Sequence, residues 1–355
     1  MINKTLLLSA LIQLPFFSLP ASAQTPLAQV LALAPALQVS IPRPAAEVAA
    51  PAALTPGLLR EKLRLFDYQK NDVLTVKRNA PSEHKNYSVE RIAVLLNDPL
   101  RQRGEYTQEY LYYRTTQGGP RPTVIVFPPF SGTATIDAWT AIKFARRGYN
   151  AVVVIPAESL ADKTRPLDRT DDLLIRESIA ARIGIDLLET CPEVDKEKIY
   201  ATGISMGGIR TALLFGVEPR VKKASEIVGG GDLPGIIADT DFSMLKKLRD
   251  ARMQLEGLVT IPEFRAYMQK VMTVDPLDFA GLRAPEDLLM MMGKGDVFVP
   301  DVYQKKLYDA FSRPLEGRYP AVVQSARGHL LTAAGIEKQV ELSFEFFEGR
   351  GAGAQ

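Results

Sequence analysis

Residues 198–214 constrain this chain more than any other stretch. An apolar run, Lys198-Ile199-Tyr200-Ala201-Thr202, leads into Gly203-Ile204-Ser205-Met206-Gly207-Gly208, and that into a helix-forming run, Ile209-Arg210-Thr211-Ala212-Leu213-Leu214. The order is strand, tight turn, helix. A serine at the apex of such a turn is held in strained backbone geometry with its hydroxyl exposed, and the flanking glycines let strand and helix approach without Cβ collisions. The pattern predicts a nucleophile elbow with Ser205 as the nucleophile. The competing reading is a glycine-rich helix start with Ser205 as its N-cap.

A serine hydroxyl is a poor nucleophile at neutral pH, so the elbow reading demands a base and an acid that orients the base. The chain has two histidines, His84 and His329. Only His329 lies downstream, where the order serine, acid, histidine requires it. It follows the strand-like run 319–324 and the loop Ser325-Ala326-Arg327-Gly328, and is the expected base. His84, between Glu83 and Lys85, is expected on the solvated surface. The acid should end a strand between the two. Leu288-Leu289-Met290-Met291-Met292 breaks at Gly293 and Gly295 and delivers Asp296, which suits the carboxyl edge where open α/β sheets carry their sites. Asp232, after Gly229-Gly230-Gly231, is the competing acid, and Asp301 is expected to serve the dipole of the next helix.

The oxyanion formed in acyl transfer needs preorganised donors, each worth about 2.7–4 kcal/mol. The amide of Met206, after the nucleophile, is one expected donor. The second should come from the loop after Thr123-Val124-Ile125-Val126-Phe127, where Pro128 and Pro129 have no N–H to give. Phe130 therefore offers the first free amide.

Strand and helix alternate from about residue 122, which predicts a mostly parallel central sheet flanked by helices. The strands fall at 87–97, 107–115, 122–128, 150–155, 198–204, 222–228, 287–292 and 320–325. Between the sixth and seventh of these lies a cap-like helical insertion, 233–284, with helices around Phe242–Leu255 and Pro262–Met272. Met244, Leu248, Ala251 and Leu255 are its wall or core candidates. The whole domain is expected at 58–350, preceded by a linker at 24–57 rich in alanine and proline. Residues 1–23 have a basic start, an apolar stretch and Ala21-Ser22-Ala23, the signature of a cleaved signal peptide, so export to the periplasm or medium is expected without stable membrane insertion afterwards. The lone Cys191 cannot form an intrachain disulfide.

The 43 basic and 41 acidic side chains leave a net charge of +2, and no basic run suggests a nucleic-acid groove. Two distant histidines and one cysteine make no metal-ligand set, and no dinucleotide-binding G-x-G-x-x-G follows a strand, so neither metal nor cofactor is expected.

The elbow, the later Gly293-Lys294-Gly295-Asp296-Val297-Phe298-Val299-Pro300 and the lone downstream histidine resemble the α/β-hydrolase superfamily over about residues 87–348. Within it, the run Glu218-Pro219-Arg220-Val221-Lys222-Lys223 leading to Gly229-Gly230-Gly231-Asp232, with Val274-Asp275-Pro276-Leu277, is similar to bacterial dienelactone-hydrolase-like and acetyl-xylan-esterase-like enzymes. The chain departs from dienelactone hydrolases proper in having Ser205 for their cysteine, and Pro128-Pro129 for the usual His-Gly. The resemblance implies an α/β-hydrolase fold and a serine hydrolase of carboxylic esters, on small-molecule or saccharide-linked substrates. Two other functions stay open: a peptidase resembling the prolyl oligopeptidase catalytic domain, and a non-catalytic binding module, against which the ordered Ser205, Asp296 and His329 argue.

Overall fold

The computed structural model describes residues 54–130, 132, 135–326, 328–329 and 335–350. The expected signal peptide and nearly all of the expected linker lie outside the described residues. The described residues begin inside the linker's last residues. Helix α1 (Pro56–Arg64) has Pro at its start, where no amide is needed, and the Thr55 hydroxyl accepts from the Leu58 amide at 3.3 Å. It is moored by Lys62, which donates at 2.7 Å to the Thr273 carbonyl and to the Asp278 carboxylate.

Among the described residues ten strands form one sheet: β1 (Val73–Arg78), β2 (Ser82–Glu83), β3 (Tyr87–Asn97), β4 (Glu105–Thr115), β5 (Arg121–Phe127), β6 (Asn150–Ile155), β7 (Val194–Ile204), β8 (Val221–Ile227), β9 (Leu288–Gly293) and β10 (Ala321–Ser325). Their order is β1-β3-β4-β6-β5-β7-β8-β9-β10, with β2 beside β3. The strands from β6 to β10 are mutually parallel, whereas β1, β3, β4 and β6 pair antiparallel. Burial follows this division. Val124 to Phe127, Ala151 to Val154 and Leu288 to Met291 are buried without interruption, as befits parallel strands covered on both faces. The edge strand β1 is largely exposed instead.

The helices that follow are α2 (Thr135–Arg146), α3 (Thr170–Leu188), α4 (Met206–Val217), α5 (Leu233–Asp239), α6 (Ser243–Leu255), α7 (Ile261–Val271), α8 (Pro276–Phe279), α9 (Asp301–Phe311) and α10 (Ile336–Phe347). Strand β8 locates two of them. The Ser225 hydroxyl meets that of Ser343 on α10 at 2.7 Å, while the next side chain, Glu226, lies against Gly208 on α4. Because successive side chains point to opposite faces of a strand, α10 and α4 cover opposite faces of the sheet.

Helices α5 to α8 make up the insertion. Phe264 and Met268 of α7 and Met253 of α6 form a small satellite core with Ala238 and with Leu167, from the loop beyond β6. Arg252 clamps that loop by donating to the carbonyls of Leu160 and Asp162 at 2.7 and 2.8 Å. Among the four candidates on α6, Leu248 is buried, Ala251 is half-buried, and Met244 and Leu255 are exposed. No helix among the described residues is long and apolar enough to cross a membrane.

Candidate active site

Ser205 is the hinge between β7 and α4. Its φ of 60° and ψ of −121° lie where non-glycine residues rarely sit, at a cost of about 1–3 kcal/mol that the surroundings must offset. They do so by close packing. The Ser205 amide donates to the Ile227 carbonyl of β8 at 2.8 Å, and its carbonyl accepts the first helical bond from Ile209. A Cβ on Gly203 would stand 2.3 Å from the Gly207 carbonyl oxygen, and one on Gly207 would stand 2.3 Å from that of Phe127. Both positions thus demand glycine. With no side-chain cap bond from Ser205 to the helix, its hydroxyl is not spent as an N-cap.

The loop after β9 places Asp296, whose side chain is fully buried. Its Oδ1 accepts from the amides of Phe298 and Val299 at 2.8 and 2.9 Å. Its Oδ2 accepts from Gln304 Nε2 at 3.2 Å and meets His329 Nδ1 at 2.6 Å. His329 follows β10 and is itself buried. The carboxylate is therefore satisfied on both oxygens and can hold one imidazole nitrogen, leaving the other for a second partner. Asp301, in the first turn of α9, does more than face the dipole: it accepts from the amides of Gly295 and Asp296 at 3.0 and 3.1 Å and so holds the acid's own turn.

His329 also lies on an aromatic stack. Phe298 is parallel to the imidazole at 4.4 Å between centroids, and Phe242, at the threshold of α6, covers the other face of Phe298 at 3.9 Å. The insertion is further pinned there, since the Asp241 amide donates to the Val297 carbonyl at 2.8 Å. The connection between α5 and α6 thus lies against the loop that carries Asp296.

The oxyanion-donor candidates lie on neighbouring elements. Phe127 and Gly203 are partners in the β5–β7 register, so the Pro128-Pro129-Phe130 loop emerges beside the elbow. Gly132 donates to the Pro129 carbonyl at 3.1 Å, and the Phe130 side chain packs on the main core. Met206 opens α4, where first-turn amides have no helical acceptor.

Asp232 is engaged elsewhere. It sits in the left-handed region, caps α5 by accepting from the Gly235 amide at 3.0 Å, and pairs with Lys306. His84 is exposed and stacks on Tyr87. One buried acid beside the elbow escaped the sequence reading. Glu226, on β8, is fully buried, and burial, reinforced by the charge of Asp296, pushes it up to about 8. A charged residue within the otherwise buried run Ala224 to Val228 was the available signal. Among the described residues, no three His, Cys, Asp or Glu side chains gather as a metal site would require.

Residues 108–241 match the model of the dienelactone hydrolase family, a span that includes the Phe130 loop and the Ser205 turn and ends before Asp296. No curated protein matches the chain. Solved structures do. Acetyl xylan esterase from Paenibacillus sp. R4 superposes with a TM-score of 0.62 at 15% identity, over 92% of this chain and 100% of that one. Acetyl xylan esterase 1 from Thermoanaerobacterium sp. JW/SL YS485 gives 0.61 at 14% identity, over 82% and 96%. The acylaminoacyl peptidase of Pyrococcus horikoshii gives 0.51 at 16% identity, over 78% of this chain and 50% of that one. The chain has the α/β-hydrolase fold.

Proposed function

We propose that this protein is a serine hydrolase that cleaves carboxylic esters, small or saccharide-linked, through an acyl-enzyme. The observation that carries the reading is the coincidence, on one sheet edge, of a strained serine turn at the end of β7 with a buried Asp296–His329 pair at 2.6 Å beyond β9 and β10. In this reading Ser205 Oγ attacks the acyl carbon as His329 takes its proton. Asp296 fixes the tautomer and stabilises the imidazolium, and the amides of Phe130 and Met206 receive the oxyanion. His329 then returns the proton to the leaving alcohol, and water releases the acyl group by the same steps.

The match to a dienelactone hydrolase model and the likeness to two acetyl xylan esterases support an ester rather than an amide substrate. The likeness to an acylaminoacyl peptidase keeps amide cleavage as the second reading. The leader-like residues 1–23 favour a periplasmic or extracellular site of action.

The test is direct. Purified protein assayed on p-nitrophenyl esters of increasing acyl length, alongside aminoacyl amides, should turn over esters preferentially. Ser205→Ala should lower ester turnover by about 10⁶-fold while the fold survives. Activity within about tenfold of the parent would return Ser205 to the role of a helix start.

A further inference from the structure

Arg210 lies one turn into α4 and is almost wholly buried, with 2% of its surface exposed. A guanidinium in such a place needs a paired charge and hydrogen-bond acceptors. Its Nη2 donates to Glu177 Oε1 on α3 at 3.0 Å, and its Nε approaches Glu177 Oε2 to 2.5 Å outside hydrogen-bonding alignment. The remaining contact is the informative one: Nη1 donates at 2.9 Å to the carbonyl of Pro128, the residue that opens the loop toward Phe130.

That loop has unusual needs. Pro128 and Pro129 cannot anchor it through amides, so beside the packing of the Phe130 side chain on the core it is their carbonyls that can be held. Among the described residues two bonds hold them, Arg210 to Pro128 and the Gly132 amide to Pro129. The first is made from the same helical face, three residues on, that places Gly207 against the Phe127 and Pro128 carbonyls. The helix whose first amide belongs to Met206 thereby also grips the loop that presents Phe130, and the Glu177 carboxylate fixes the grip from α3.

We infer that Arg210 is a positioning residue that sets the spacing between the two oxyanion donors, with Glu177 as its brace. This rests on the hydrolase reading proposed above and assigns the geometry of its oxyanion site to a side chain that touches no substrate. A bond of this kind acts on rate because a donor misplaced by about 1 Å can cost 10²-fold.

The experiment reads the rate at which an alkyl fluorophosphonate labels Ser205. The Ser205 oxygen bonds phosphorus, fluoride leaves, His329 takes the serine proton, and the phosphoryl oxygen draws on the oxyanion donors whatever the natural substrate. Arg210→Met combined with Glu177→Leu replaces the ion pair by apolar groups, which buried pairs often tolerate. Labelling should slow by about 10²-fold, with kcat on esters falling in parallel, KM within threefold and the thermal midpoint near the parent's. A merely structural role would recover with the midpoint, so a folded double variant that labels within threefold of the parent overturns the inference. Should the double variant not fold, Arg210→Lys keeps a positive partner for Glu177 but lacks the planar fork, and labelling about tenfold slower is expected. A parental rate in Arg210→Lys overturns it equally. A parent that is labelled at Ser205 yet cleaves no ester removes the proposed function and leaves this inference standing on the labelling rates, whereas a parent that is not labelled removes both.

Discussion

The exits of β8 and β9 run side by side, and each delivers an aspartate to the same edge of the sheet, yet the two carboxylates have opposite surroundings. Asp232 spends its oxygens on the Gly235 amide and on Lys306, in the service of a short helix. Asp296 takes two amides on one oxygen and a glutamine and a histidine on the other. Place along the edge therefore does not select the acid. In the proposed mechanism, what selects it is whether the local turn supplies enough donors to bury the charge while leaving one lone pair aimed at an imidazole.

The contrast is open to direct attack. Asp296→Asn should lower kcat by about 10⁴-fold, because the amide favours the wrong imidazole tautomer. The same change at Asp232 is the control, and steady-state kinetics on the preferred ester would overturn the assignment if the two losses ranked the other way.

The next largest effect concerns the third acid of this region, Glu226. The unfolded chain would release its proton near the ordinary 4.5, the folded chain only near 8. Between those values the unfolded state binds fewer protons than the folded one, so this group makes the protein less stable as pH rises from 4.5 to 8. At ~1.36 kcal/mol per pH unit the whole effect amounts to about 4–5 kcal/mol. Glu226→Gln should abolish it, so denaturant midpoints of variant and parent should diverge in the variant's favour between pH 5 and pH 8. A difference that stays constant over that range would mean that Glu226 is already ionised at neutrality.

Smaller again, Phe242→Ala should cost roughly three- to tenfold in kcat by baring one face of Phe298, since aromatic pairs contribute about 0.5–1.5 kcal/mol. It should also alter the preference among acyl lengths, measured on the p-nitrophenyl series, if the insertion walls the site; unchanged rate and preference would detach it from the chemistry. Smallest of all, Asp232→Asn should leave kcat within about threefold. Asparagine still caps α5, and only the ion pair with the partly exposed Lys306 is lost.

The parallel half of the sheet was legible chiefly because β5, β6 and β9 each carry a short apolar run ended by proline or glycine. The stretches read at 150–155 and 222–228 are Asn150–Ile155 and Val221–Ile227 in the structure. The insertion's helices, read around Phe242–Leu255 and Pro262–Met272, are Ser243–Leu255 and Ile261–Val271. Strand β1 was missed although Val73-Leu74-Thr75-Val76 is rich in β-formers, because the run is short and, on an exposed edge with only Val73 half-buried, shows no alternation of apolar and polar faces. The Ser205 turn could be seen because glycine spacing encodes it locally, and the meeting of Asp296 with His329 because histidine is scarce. Arg210 and Glu177, 33 residues apart, could not be paired in this way. Both lie in helices where charged residues ordinarily face solvent, and only the packing of α3 on α4 turns them inward. Gln304 and Asp301 were hidden for the same reason, their partners being backbone groups of a turn whose path the sequence does not give.

The turn around Asp296 has a consequence for how the site comes together. The bonds that hold it close over two, three, five, six and eight residues. The bond to His329 spans 33. Chain-closure entropy grows with the logarithm of loop length, so the acid's cradle costs little to form and depends on few distant events. The base must be delivered by a longer closure, after β10 has docked beside β9. The charge is thus prepared ahead of the group it is proposed to orient, and the Asp296–His329 pair is completed by a segment 33 residues further along the chain. On the proposed function, hydrolytic activity during refolding should therefore lag behind the recovery of sheet structure, and would report the arrival of β10 rather than the formation of the core.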